Sequence, residues 1–403
     1  MPEDPGKPLE SAGAAAADGL AGEPLTYAAI VRRQFLRNRA AVVGLGIVAM
    51  LFAVAILVPF LASSYPYRIR IDGRTHYPLF RNLTPQDLII LAAALCLATW
   101  AVVRRLLPAR LRRWSLPACL VVFLAACAVI RATVRERNDR TDYRALAVRP
   151  GADAIWAPIP YSPQETDLDR KRQPPGRLAG HLLGTDDLGR DVFSRLLWST
   201  RVSLAVGFVA EGFAVAIGVF LGALAGYFGR RTDFVIMRLV EIVVCFPGFF
   251  LILTVLAVFG RHLWLIMLMI GLLGWTENAR FVRAEFLRLR TMEYAMAARA
   301  LGLGWARIVF RHLLPNGIAP VMVNASFGVA AAILIEGGLS FLGFGVAPPT
   351  ATWGTMLNDG MINPVAMPWM IILPGLAIFT AVAAYNLVGE GLRDALDPRL
   401  RSA

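Results

Sequence analysis

Enzymatic chemistry needs polar side chains that converge, and the 403-residue sequence is poor in patterns that would supply them. A phosphate-cradling loop requires a Gly-Lys pair with another glycine five residues earlier. The Gly6-Lys7 pair has Met1 in that place and Pro8 after it. His76, His181, His262 and His312 are scattered along the chain, and no HExxH or GxSxG is present. Cys96, Cys119, Cys127 and Cys245 lie inside apolar stretches without CxxC spacing, so neither a zinc site nor a disulfide framework follows. The pattern predicts no catalytic residue, no metal ligand and no nucleotide or other cofactor on this chain.

What remains is the chemistry of ionisable groups in apolar surroundings, and that of one basic segment rich in small residues. Glu211, Glu241 and Glu336 fall within apolar runs, where an ionised carboxylate costs at least about 2.5 kcal/mol and so faces protein or water. Glu241 follows Arg238 by three residues, the spacing of a helical ion pair. Glu211 and Glu336 are candidates for a pathway or gate, with contact to a neighbouring helix as the alternative for each. In the segment 291–316, good helix formers run from Glu293 to Ala300, and Gly302 and Gly304 permit a sharp turn. A second amphipathic stretch runs from Trp305 to Leu314, and Pro315 is expected to stop it. Two short helices at an angle are predicted. Ala295, Ala297 and Ala298 would admit another protein's surface, while Arg299, Arg307 and Arg311 line one face. A helix lying on lipid headgroups accounts for the same residues, and the residues alone leave both readings open.

The elements that must position these groups are membrane helices. Hydrophobic residues make up 57% of the chain and charged residues 17%, with a mean hydropathy of +0.57, too apolar for a soluble domain. The net charge of +13 comes from arginines that bracket apolar runs, where they act as orientation signals beside the lipid rather than as a nucleic-acid surface. Apolar runs lie at about 41–62, 88–103, 116–130, 202–228, 234–260, 263–275, 317–344 and 369–388. The runs at 88–103, 116–130 and 263–275 fall short of the roughly 20 residues needed to cross a bilayer unless they borrow flanking residues. The first two flank Arg104, Arg105, Arg110, Arg112 and Arg113, which predicts a membrane hairpin with a cytoplasmic turn, a re-entrant hairpin being the alternative. Arg32, Arg33, Arg37 and Arg39 before the first run, and Arg393, Arg399 and Arg401 at the end, place both termini in the cytoplasm. Residues 1–25 have no basic start and no apolar core, so 1–32 reads as a disordered cytoplasmic tail. The stretch WAPIPYSP, Trp156 to Pro163, should be extended because proline removes donors and restricts the residue before it.

The segment 291–316 resembles the EAA loop of ABC-importer permeases: Glu293, Ala297 and Ala298 match its acidic-plus-small start, Gly302 its glycine, and Leu314-Pro315 its end. The blocks RNRAAVVGL (37–45), HLLGTDDLGRDVFSR (181–195), RVSLAVG (201–207), NARFVRAEFLRLR (278–290), EGGLSFLGFGVAPPTATWG (336–354) and NLVGEGLRDALDPR (386–399) resemble the C-type permease subunit of dipeptide, oligopeptide and nickel importers. The likeness covers about 33–62 and 180–401. It implies an all-α polytopic protein of the inner (plasma) membrane with a first transmembrane helix at 33–62 and a permease core at 181–401; between them the expected external insertion at 63–180 carries the hairpin 88–130, which is not part of the family's common pattern. Six core helices and the inserted hairpin make about eight. The resemblance also implies partners. Two cytoplasmic ATPase subunits would hold the ATP, a second related permease would complete the pathway, and an external binding protein would deliver a short peptide. Glu293, Ala297, Ala298, Arg299, Gly302, Arg307, Leu314 and Pro315 would couple the chain to an ATPase.

The insertion 63–180 is longer than the usual external loop, and YRIRIDGRTHYPLF (67–80) with WAPIPYSP looks like the subgroup that carries a large external insertion. Trp156 and Tyr161 are candidates for broad apolar contacts with the binding protein. Two rivals remain at this point: an ion-coupled secondary transporter, and an importer of the same class that carries nickel or another non-peptide substrate.

Overall fold

The computed structural model describes residues 27–71, 73–112, 114–135, 139, 141–150, 152–176 and 180–396. The disordered tail expected over 1–32 is contradicted from Tyr27 onward, where helix α1 (Tyr27–Arg37) forms; residues 1–26 lie outside the described residues. Its apolar positions pack on the last helix, with Phe35 close to Gly391. Asn38 then caps α2 (Arg39–Leu61) by accepting from the Ala41 N–H at 3.2 Å, and its amide donates to Asp394 at 3.2 Å.

Three short strands follow: β1 (Arg68–Ile71), β2 (Arg74–His76) and β3 (Asp153–Ile155), antiparallel in the order β2-β1-β3. Ile69 faces His76 on one side and Ala154 on the other, and is fully buried. Between β2 and β3 the inserted hairpin forms α3 (Pro85–Leu106, 22 residues) and α4 (Ser115–Thr133, 19 residues). At 1.5 Å per residue these reach ~33 and ~28 Å, and both helices fall within the range of about 17–25 residues that spans a bilayer. The short apolar runs are therefore lengthened by their flanks. Thr84 and Asp87 close the start of α3 as a capping box. Asp87 also accepts from Arg201 at 2.5 Å, and Arg201 donates to the Ala55 carbonyl at 2.8 Å, which ties the hairpin to the bundle.

The remaining helices are α5 (Val192–Phe228), α6 (Arg230–Cys245), α7 (Gly248–Phe259), α8 (Leu263–Leu289), α9 (Glu293–Ala300), α10 (Leu314–Phe341), α11 (Trp353–Met361) and α12 (Trp369–Leu396). Among the described residues, seven helices are long and apolar enough to cross a membrane, and the bent pair α6–α7 makes an eighth if it forms one span. The single run expected at 234–260 is broken by a 75° bend, because Pro247 has no N–H and forces Phe246 out of the helical region. α5 and α8 pack backbone to backbone along Gly218, Gly222 and Gly226: an added Cβ at Gly222 would lie 2.5 Å from the Ala279 carbonyl oxygen. A second core joins α2, α5, α10, α11 and α12 through Ala55, Leu204, Ile333, Trp353 and Tyr385.

Candidate functional site

On the side that carries the basic clusters, α9 rests on its own molecule. Ala295 and Ala298, three residues apart, share one face and are buried against Phe286, Leu289, Ile308, Val309, Leu313 and Val321. This corrects the expectation that Ala298, with Ala295, would receive a partner's surface. The outward face carries Glu293, Met296, Ala297, Arg299 and Leu301 instead. Arg299 lies 5.0 Å over the Tyr227 ring. Gly302 closes the helix at φ +68°, and Leu303 donates to the Ala298 carbonyl at 3.2 Å.

The second expected helix is not separate. Trp305–Arg307 leads into a wide π turn over Ile308–Leu313 that merges with α10, so Pro315 does not end a helix but sits in the first turn of a long one. The widened turn before it relieves the clash and the missing donor that proline would otherwise impose. Leu314 is half-buried and Pro315 exposed; Arg307 and Arg311 are exposed on this segment, while Arg299 stands on α9, so the three do not line one helix.

Deeper in the bundle, Glu211 of α5 is buried and accepts from the Asn278 amide of α8 at 3.0 Å. Asn278 in turn accepts from Asn324 of α10 at 3.0 Å. This three-helix polar track borders a cavity of about 270 Å³. Gly328 faces Glu211 so closely that a Cβ there would sit 2.1 Å from Oε2. Sequence reasoning singled out Glu211 but missed Asn278, Asn324 and Gly328; an amide inside an otherwise apolar helix was the available signal. Glu336 lies elsewhere, sealed between α10 and α11, where it accepts from Ser340 at 2.6 Å. That bond lies within α10, and Glu336 is not among the residues lining this cavity. Glu241 is exposed and pairs with Arg238 at 2.5 Å, as the spacing predicts.

The opposite end of the bundle is closed by ion pairs. Asp186 accepts from Arg190 at 2.7 Å and Arg195 at 2.5 Å, and Asp359 accepts from the same arginines at 3.3 and 2.9 Å. The stretch Trp156–Pro163 is extended as expected, but it is a strap rather than a free arm. Ile159 donates to the Leu61 carbonyl at 3.0 Å and accepts from Ser63 at 3.1 Å. Tyr161 is half-buried between the Arg144 guanidinium and the His181 ring, each 4.2 Å away, and Trp156 is half-buried. Tyr161 is therefore already engaged by two side chains of its own chain. Nearby, Asp139 accepts from Thr141 at 2.6 Å, Tyr143 at 2.6 Å and Asn82 at 3.2 Å. Burial would raise its pKa, but these donors outweigh it and hold the carboxyl down to about 2. Burial, with the same carboxylate, pushes Tyr143 up to about 12.

The architecture defines a class: an all-α polytopic membrane protein with a short helix seated on two long ones. Residues 218–402 match the model of the binding-protein-dependent transport system inner membrane component, and residues 26–85 that of the N-terminal TM domain of oligopeptide transport permease C. The dipeptide transport system permease protein DppC of Alkalihalophilus pseudofirmus is 39% identical over 249 residues, 62% of this chain and 82% of that one. The glutathione transport system permease protein GsiD of Pectobacterium atrosepticum is 38% identical over 288 residues, 67% of this chain and 95% of that one. The oligopeptide transport system permease protein OppC of Bacillus subtilis is 38% identical over 250 residues, 62% and 81% of the two chains. The chain belongs to the binding-protein-dependent transport inner-membrane component family, the membrane-spanning permease subunits of ABC importers.

Proposed function

We propose that this chain forms half of a membrane pathway for short peptides. It works with a second, related permease, two cytoplasmic ATPase subunits that hold the ATP, and an external binding protein. Both termini lie in the cytoplasm of the cell's plasma membrane. The observation that carries this reading is the seat of α9: its inner face is packed on α8 and on the π turn that begins α10, while its outer face is open. A short helix held this way transmits a load on Glu293, Ala297, Arg299 and Gly302 to two membrane helices together, turning closure of an ATPase into a tilt. Peptide as the substrate follows the relatives named for dipeptide, glutathione and oligopeptide transport.

The test is reconstitution of the full complex in liposomes with radiolabelled Ala-Ala-Ala. ATP-dependent accumulation that needs the binding protein is expected. Accumulation of nickel or sugar but not peptide overturns the substrate, and gradient-driven uptake without ATP overturns the energy source.

A further inference from the structure

The cavity between α5, α7, α8 and α10 has a chemical bias that a generic pathway does not require. Among its described lining residues, the charged groups are Glu211 and Glu277, and no arginine, lysine or histidine accompanies them. Apolar walls from Phe249, Ile252 and Ile335 surround these carboxylates. Glu211, Asn278 and Gly328 each fall near the middle of a long helix, so the site lies at mid-depth, where an unneutralised carboxylate is costly.

Glu211 is only 8% exposed, and Asn278 satisfies Oε1 alone. Oε2 is directed at Gly328, which borders the same cavity, and any side chain at 328 would displace the carboxylate. Without a Cβ at 328, Oε2 fits at the edge of an open volume of about 270 Å³, and no hydrogen bond to it from the described residues accompanies the one that Asn278 makes to Oε1. A compact cation with several N–H donors satisfies that oxygen and offsets the cost of the buried charge. A transition-metal ion fits less well, because the lining offers no histidine or cysteine.

We propose that this cavity receives the α-ammonium group of a peptide in transit, with Glu211 Oε2 as its acceptor and Glu277 supplying further negative field. The proposal rests on the peptide pathway proposed above. Its consequence is selection during passage for a free, protonated amino terminus, independent of side-chain sequence.

The experiment compares Ala-Ala-Ala with N-acetyl-Ala-Ala-Ala in the reconstituted complex, after binding of each to the external binding protein has been measured separately. Glu211→Gln should slow Ala-Ala-Ala uptake at least about tenfold while changing N-acetyl-Ala-Ala-Ala uptake less than about twofold, in complexes that assemble in equal amount. Refusal of the acetylated peptide by the unsubstituted complex, when the binding protein alone takes both, also supports the proposal. Equal slowing of both peptides would show that Glu211 acts on the scaffold, and unchanged uptake of both would remove it from the pathway; either result overturns the inference. If Glu211→Gln does not assemble, Glu277→Gln decides, because that side chain is exposed in the cavity: a selective loss for the free peptide supports the site and no selectivity overturns it. No Ala-Ala-Ala uptake through the unsubstituted complex removes the peptide pathway and this inference with it, which separates that failure from a failure of the site alone.

Discussion

At Asp139 a single carboxylate gathers two parts of the insertion: Asn82 before the hairpin, and Thr141 and Tyr143 after it. Its folded value of about 2 lies below the ordinary 3.8, so ionised Asp139 favours the folded insertion. That contribution is fully present above the ordinary value and is lost as pH falls through about 2. Asp139→Asn should therefore increase hydrogen exchange over 141–155 near neutral pH, and the difference from the parent protein should shrink between about pH 4 and about pH 2. Equal protection of both proteins at neutral pH would show that the donors hold the insertion without the charge. The sequence displayed Asp139 as one acid in a polar run. Nothing in local spacing announced that Asn82, across a whole helical hairpin, would reach it.

At the scale of one element, α9 and the turn after it make the sharpest prediction. Gly302 holds φ +68°, and nothing lies within 4 Å of where its Cβ would be. A side chain there strains the backbone by roughly 1–2 kcal/mol and projects outward without disturbing the core. Gly302→Trp should assemble in the membrane yet lose peptide-stimulated ATP hydrolysis and uptake, whereas Gly302→Ala, which adds strain without bulk, should keep most of both. Stimulation of the tryptophan variant equal to that of the parent complex would show that this face does not dock. The helix and its glycine turn were legible from helix formers and φ preference. Which alanines point inward was not, because Ala295 and Ala298 are turned by Phe286 and Leu313, residues on two other elements.

For the whole molecule, the order of crossings follows from where arginines stand relative to apolar runs. With the native cysteines replaced, single cysteines at Leu111 and Leu301 should resist an impermeant thiol reagent applied outside intact spheroplasts, and ones at exposed Leu168 and Val365 should react. Reaction at 111 equal to that at 168 would place the turn of the inserted hairpin outside. Hydropathy and proline by themselves marked the apolar runs, the inserted hairpin helices and the extended strap, since each depends on a property that accumulates along consecutive residues, while the all-α permease class rested on the family resemblance. Tertiary structure alone decided that Tyr161 of the strap lies between Arg144 and His181, and that Asp186 and Asp359 share Arg190 and Arg195. It also decided that Glu211, Asn278 and Asn324 form one track along a cavity beside Gly328. Asp186 lies only four and nine positions from Arg190 and Arg195, but Asp359 lies 169 and 164 from them, and Asn278 lies 67 from Glu211 and 46 from Asn324. Glu211, Asn278 and Asn324 meet only where the glycine row of α5 lets α8 approach and α10 closes the third side, and no local pattern encodes that meeting.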